Sequence, residues 1–251
     1  MLPRLLSMKP GVKWGFKAGT EWGSKGKNQK ARLESDKQKA KFQMNANSRL
    51  GTRDSQLGIR NPQLIYLHGF NSSPASHKAQ LLQQRLAAYG DGAFCAPELS
   101  PEPKAAIAMI KNHVQAQAQR DITLIGSSLG GYYATYLAQT FGLRAVLLNP
   151  AVRPYNLLRD ELGQQRNFHT GECYEFTESH LQELADLEVE TLSHPERFLL
   201  IVETGDEVLD YRHAVEKYHG AEQIVIPGGD HGLQSFAQHL DKIVIFAGWV
   251  A

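Results

Sequence analysis

The stretch "DITLIGSSLGGYYAT", Asp121–Thr135, decides the fold. A short apolar run ends in Gly126-Ser127-Ser128-Leu129-Gly130, and an amphipathic stretch follows at once. The pattern is G-x-S-x-G with Ser128 as its serine. A strand that turns directly into a helix holds the residue at the turn in a strained conformation, so its side chain stands above the sheet edge at a helix N-terminus. Small residues two before and two after let the neighbouring chain come close. Gly126 and Gly130 supply them. The same residues also read as a glycine-rich helix entry with an incidental serine.

Outward from this stretch, short Val/Ile/Leu runs alternate with amphipathic segments from Gln63 onward. The runs predict strands near 64–67, 93–96, 122–126, 145–149, 198–203 and 222–226. Helices are predicted between them and after the last. Runs without polar alternation mean strands covered on both faces. Alternation with helices means βαβ units and a parallel sheet. The expected fold class is therefore α/β, a mostly parallel sheet of about six strands flanked by helices. In such sheets ligands bind beyond the carboxyl ends of the strands, so chemistry is sought just after each one.

A serine hydroxyl needs a general base, and the base needs a third group to orient it. In this architecture they follow in the order serine, acid, histidine. His231, in "VIPGGDHG" (Val225–Gly232), follows the last strand and is the candidate base; a solvated loop histidine is the plainer reading. The acid belongs after the strand before it, where "LLIVETGDEVLDY" (Leu199–Tyr211) offers Asp206 and Asp210. Asp206 stands in the first turn and is preferred. Asp210 has the position of a helix cap. Glu203 and Asp230 are weaker outsiders. A tetrahedral intermediate also needs N–H donors. Leu129 N–H, next to the serine, supplies one. Phe70 N–H, in "HGFNSSP" (His68–Pro74) after the first strand, is chosen for the other.

Composition bounds the rest. Two cysteines, Cys95 and Cys173, make neither a metal spacing nor a disulfide framework, so the expected compartment is a reducing cytoplasm. No apolar window approaches the length of a membrane span, and no secretory signal is evident in the first residues. The net charge of +1 hides an asymmetry. Residues 1–62 hold 14 basic and 4 acidic residues, net +10; the remainder holds 13 basic and 22 acidic, net −9. Residues 1–61 read as a basic extension whose composition predicts disorder. Nucleic-acid or anionic-membrane binding, through lysines interleaved with Trp14, Phe16 and Trp22, is its minority reading; an upstream mis-start, with Met44 as an internal alternative, is another. Residues 62–251 form the predicted domain. Within it, 151–196 is too long for a simple crossover and reads as a cap-like insertion that Arg153, Tyr155 and Tyr174 could line. Arg153 is a candidate for an anionic group of the substrate, with a structural ion pair as the favoured alternative.

Taken together, "LIYLHGFNSSPASHKAQLL", "IGSSLGGYYATYLA", "LLNPAVRPYNLL", "TGDEVLDYR" and "GGDHGLQSF" resemble the YqiA-type esterases, a compact bacterial branch of the α/β-hydrolase superfamily. The resemblance runs from Leu64 to the C-terminus. It implies hydrolysis of carboxylic ester or acyl thioester bonds, with Ser128, Asp206 and His231 in the triad positions, no metal and no organic cofactor. The rival readings are a serine peptidase, a catalytically silent binding protein of the same fold, and a nucleic-acid-binding role of the basic extension.

Overall fold

A computed structural model describes residues 61–250; the basic extension, and every expectation placed on residues 1–60, lies outside them. The sheet strands are β1 (Pro62–Leu67), β2 (Phe94–Cys95), β3 (Asp121–Ser127), β4 (Arg144–Leu148), β7 (Phe198–Glu203) and β8 (Glu222–Ile226). A second, two-stranded antiparallel sheet pairs β5 (Gly163–Arg166) with β6 (Cys173–Phe176). The helices are α1 (His77–Leu86), α2 (Pro103–Ala116), α3 (Leu129–Phe141), α4 (Pro154–Leu157), α5 (Glu178–Ala185), α6 (Tyr211–Lys217) and α7 (Leu240–Phe246).

The six main strands are all parallel, in the order β2-β1-β3-β4-β7-β8. The period of two along each strand sends alternate residues into two cores. Leu64 and Tyr66 of β1 join Ile125, Val146, Leu199 and Ile201 under α1 and α7. Ile65 and Leu67 join Leu124, Leu147, Leu200 and Val202 under α2, α3, α5 and α6. The central strands β1, β3, β4 and β7 are covered on both faces, which is why they read as largely apolar runs. Single positions are correspondingly costly: Leu124 and Leu200 are wholly buried, and truncation of such a leucine to alanine costs about 2–5 kcal/mol.

The strand order reverses at β1. The chain first steps outward to β2, then returns to lay β3 on the other side of β1. Such a reversal opens a crevice beyond the carboxyl ends of the two strands. The loop after β1 and the turn after β3 meet there. Two features depart from the expected elements. The ribbon β5–β6 was not predicted; its eight residues include Gln164, Gln165, Arg166 and Glu175, without an apolar run. The helix expected after the last strand does not begin at once. Instead a 3-10 turn, Phe236–His239, precedes α7.

Candidate active site

Ser128 sits between β3 and α3 with φ 54° and ψ −120°, a conformation that side-chain-bearing residues seldom adopt. The sequence forces it. A Cβ on Gly126 would lie 2.2 Å from the Gly130 carbonyl oxygen, and one on Gly130 would lie 2.0 Å from that of Leu67. Only glycine fits at either place, so the turn is as tight as the pentapeptide implied. The loop after β1 also runs against the serine: a Cβ on Gly69 would lie 3.2 Å from that of Ser128. Ser127, the last residue of β3, is buried, whereas Ser128 is half-buried.

His231 and Asp206 come together from loops after β8 and β7. The imidazole Nδ1 lies 2.8 Å from Asp206 Oδ2, and the carboxylate side chain is only 2% exposed. Asp206 Oδ1 accepts the N–H groups of Val208 and Leu209. Burial alone would push this carboxyl up; the hydrogen bonds from His231, Leu209 and Val208 outweigh it and hold the pKa below the usual carboxylate value. Asp210 is placed elsewhere. It caps α6 through the Arg212 N–H and pairs with the Arg212 guanidinium. Ser128 and His231 line one cavity of about 580 Å³.

Phe70, after β1, and Leu129, after β3, border the crevice from the two sides of the strand-order reversal. Among the described residues, neither backbone N–H donates to another protein group. Leu129 opens α3, where the helix dipole favours negative charge. Arg153 is not at this site. It pairs with Glu188 at 3.1 Å and lines neither cavity beside Ser128. Tyr155 also bonds Glu188. The geometry therefore favours the ion-pair reading of Arg153 over the substrate one. Of the three residues expected to line the insertion, Tyr174 alone borders a cavity at the crevice.

Two supporting clusters escaped the sequence reading. The first holds the histidine loop. Glu203, considered above only as an outsider for the triad acid, is 1% exposed and turns its carboxylate to backbone. It accepts the N–H groups of Asp230, Gln234 and Ser235 at 2.8–3.0 Å. Burial pushes this carboxyl up, but Ser235, through its hydroxyl and its N–H, and the N–H groups of Asp230 and Gln234 outweigh it and lower its pKa. Asn149 donates to the carbonyls of Asp230 and His231 and accepts from Glu203 N–H. Lys78 donates to the Gly232 carbonyl.

The second cluster holds the Phe70 loop through Asn71, which has φ 54° and is buried. Its amide donates to Gln165 of β5 and accepts from Tyr174 of β6 at 2.7 Å, while its carbonyl accepts from Phe168. Burial pushes the Tyr174 hydroxyl up to about 12, so it stays a donor. The Phe70 ring packs edge-on against Phe176 and Tyr174. The ribbon is thus bolted to the loop that carries the Phe70 N–H.

The family model described as an uncharacterised protein family, UPF0227, matches residues 63–248. The chain belongs to UPF0227. The YqiA-type motifs read from the sequence fall within that family. A UPF0227 protein of Citrobacter koseri is 26% identical over 200 residues, covering 73% of this chain and 97% of the relative. Among solved structures, the mouse α/β hydrolase domain-containing protein 10 superposes with a TM-score of 0.56 at 16% identity, over 73% of this chain and 88% of that one. The esterase domain of a Rhodothermus marinus protein gives 0.56 at 16% identity, over 75% and 87%. These likenesses establish the α/β-hydrolase fold for the UPF0227 chain. Among its described residues no helix is long and apolar enough to cross a membrane. No three His, Cys, Asp or Glu side chains among them are grouped to hold a metal ion.

Proposed function

We propose that this UPF0227 protein is a serine hydrolase of small carboxylic esters or acyl thioesters. Ser128 Oγ attacks the acyl carbonyl as His231 takes its proton. Asp206 holds the Nδ1–H tautomer of the ring and stabilises the imidazolium that forms. The Phe70 and Leu129 N–H groups receive the negative oxygen of the tetrahedral intermediate. His231 then protonates the departing alkoxide or thiolate, and water releases the acyl group from Ser128 by the same steps in reverse.

The observation that carries the reading is one juxtaposition: a serine in a strained turn shares a cavity with a histidine already hydrogen-bonded to a buried carboxylate. Esterase names among the fold's neighbours add weight. The test is hydrolysis of para-nitrophenyl acetate and acetyl thioesters by the wild type and by Ser128→Ala. The expected loss in kcat is on the order of a thousandfold or more, with the melting temperature nearly unchanged. A Ser128→Ala protein as fast as the wild type would overturn the assignment.

A further inference from the structure

Two cavities meet at Gly69 and Phe70. One is the cavity of Ser128 and His231, whose wall also carries Lys78, Asp230 and Leu81. The other, about 340 Å³, lies between the β5–β6 ribbon and α2, and its apolar lining includes Leu99, Met109, Leu129, Tyr133 and Tyr174. The chemistry assigns opposite halves of a substrate to them. The base that takes the serine proton must return it to the leaving heteroatom, so the leaving group lies on the histidine's side. The carbonyl oxygen is fixed by the two N–H donors. The acyl substituent then departs from the carbonyl carbon in the other direction. Phe70 borders both cavities and Leu129 the ribbon-side one, whereas Ser128 and His231 line only the other.

The charges around that second cavity limit what enters it. Its acidic groups are Glu98 and Glu172. His68 Nε2 lies 3.8 Å from Glu98 but does not neutralise it. That nitrogen accepts the Leu99 N–H, and Nδ1 faces the Gly69 carbonyl, so Nδ1 carries the only proton and the ring is neutral. Burial lowers the His68 pKa further. Burial, then Glu172, push the Glu98 carboxyl up, and His169 offsets this only in part. No lysine or arginine lines the cavity. A substrate carboxylate would enter an apolar space and meet two like charges at its edge.

We propose that the ribbon-side cavity is the acyl site, that the His231-side cavity takes the leaving group, and that the acyl site admits an uncharged apolar chain while excluding one ending in a carboxylate. This rests on the serine-hydrolase reading.

The test uses the full chain with para-nitrophenyl acetate, hexanoate and hemiglutarate. The kcat/KM for hexanoate is expected to exceed that for hemiglutarate by about tenfold or more. Replacing both carboxylates, Glu98→Gln with Glu172→Gln, should narrow the gap. Met109→Trp fills the acyl site and should lower the ratio of hexanoate to acetate turnover by about tenfold. Leu81→Trp, in the other cavity, should leave the ratio of hexanoate to acetate unchanged. Melting curves check that each variant folds, and Met109→Phe replaces a tryptophan variant that does not. The proposal is overturned if hemiglutarate turns over as fast as hexanoate, or if Leu81→Trp rather than the Met109 variant shifts the ratio. A wild-type protein that hydrolyses none of the three esters would remove the hydrolase reading itself.

Discussion

Replacing Glu203 by glutamine removes a charge and turns one of two acceptors into a donor. In the native site Oε2 accepts the Asp230 and Gln234 N–H groups, and Oε1 accepts that of Ser235. If the amide oxygen keeps the Oε2 position, the amide NH₂ faces the Ser235 N–H, donor against donor. A buried donor left without a partner costs about 1–3 kcal/mol. The two remaining bonds fall from charge-assisted to neutral strength, which costs about another 1–2 kcal/mol. The sum is about 2–5 kcal/mol. For a domain of this size the melting temperature shifts about 2–4 °C per kcal/mol, so Glu203→Gln should melt about 4–20 °C lower. The same bonds fix the loop that carries His231, and a displacement of about 1 Å in a reacting group can cost about a hundredfold in rate. Glu203 lines neither cavity, so substrate binding should be spared. The expected signature is a lower kcat, a nearly constant KM and a lower melting temperature. Calorimetry and steady-state ester kinetics on the two proteins read it. A variant that melts within about 2 °C of the wild type and keeps its kcat within about twofold would refute the bracing role.

The remaining predictions separate neighbouring groups. Asp206→Asn should lower kcat by on the order of a thousandfold, whereas Asp210→Asn should change kcat little, because asparagine caps a helix about as well; steady-state kinetics distinguish them. Both Asp206 and Glu203 have folded-state pKa values below their ordinary ones. Their contribution to stability is therefore full above the unfolded carboxylate values, about 3.9–4.3, and is lost as pH falls through the lower folded values. Melting temperature against pH should drop through that acidic window, and Glu203→Gln should flatten part of the drop. Tyr174→Phe leaves Asn71 Oδ1 without its 2.7 Å donor and should cost about 1–3 kcal/mol; urea titration measures it, and an unchanged midpoint would contradict the clamp on the Phe70 loop.

Most of the sheet was legible in the sequence because both of its faces are buried. Leu64–Leu67 and Phe198–Val202 are apolar without interruption, and Ile122–Ile125 is broken only by the buried Thr123; such runs suit a covered strand. The serine turn was legible for a steric reason. Gly126 and Gly130 have no alternatives, so the constraint is printed in the residues themselves. The ribbon was not legible, because its strands are four residues long, half-exposed and without a sustained apolar run, and are held by side chains such as Asn71, about ninety residues earlier in the chain. Glu203 was visible as a charge at a strand end. Its partners, however, are backbone N–H groups 27–32 residues later, and a backbone donor leaves no mark in a sequence. Asp206 and Asp210 shared the same local pattern. What distinguishes them in space is that Asp206 reaches the histidine while Asp210 turns to its own helix.

The central claim is that Ser128 is the nucleophile, and covalent labelling tests it most directly. The full chain is incubated with a fluorophosphonate, digested, and the modified residue located by mass spectrometry. Attack on phosphorus needs an activated serine and donors for the developing oxyanion, so nucleophile, base and N–H groups are read together. The account predicts one phosphonylated residue, Ser128, with labelling retained in Ser127→Ala, lost in Ser128→Ala and strongly slowed in Asp206→Asn. Labelling of Ser127, or of a serine outside this crevice, or undiminished labelling of Ser128→Ala, would contradict it.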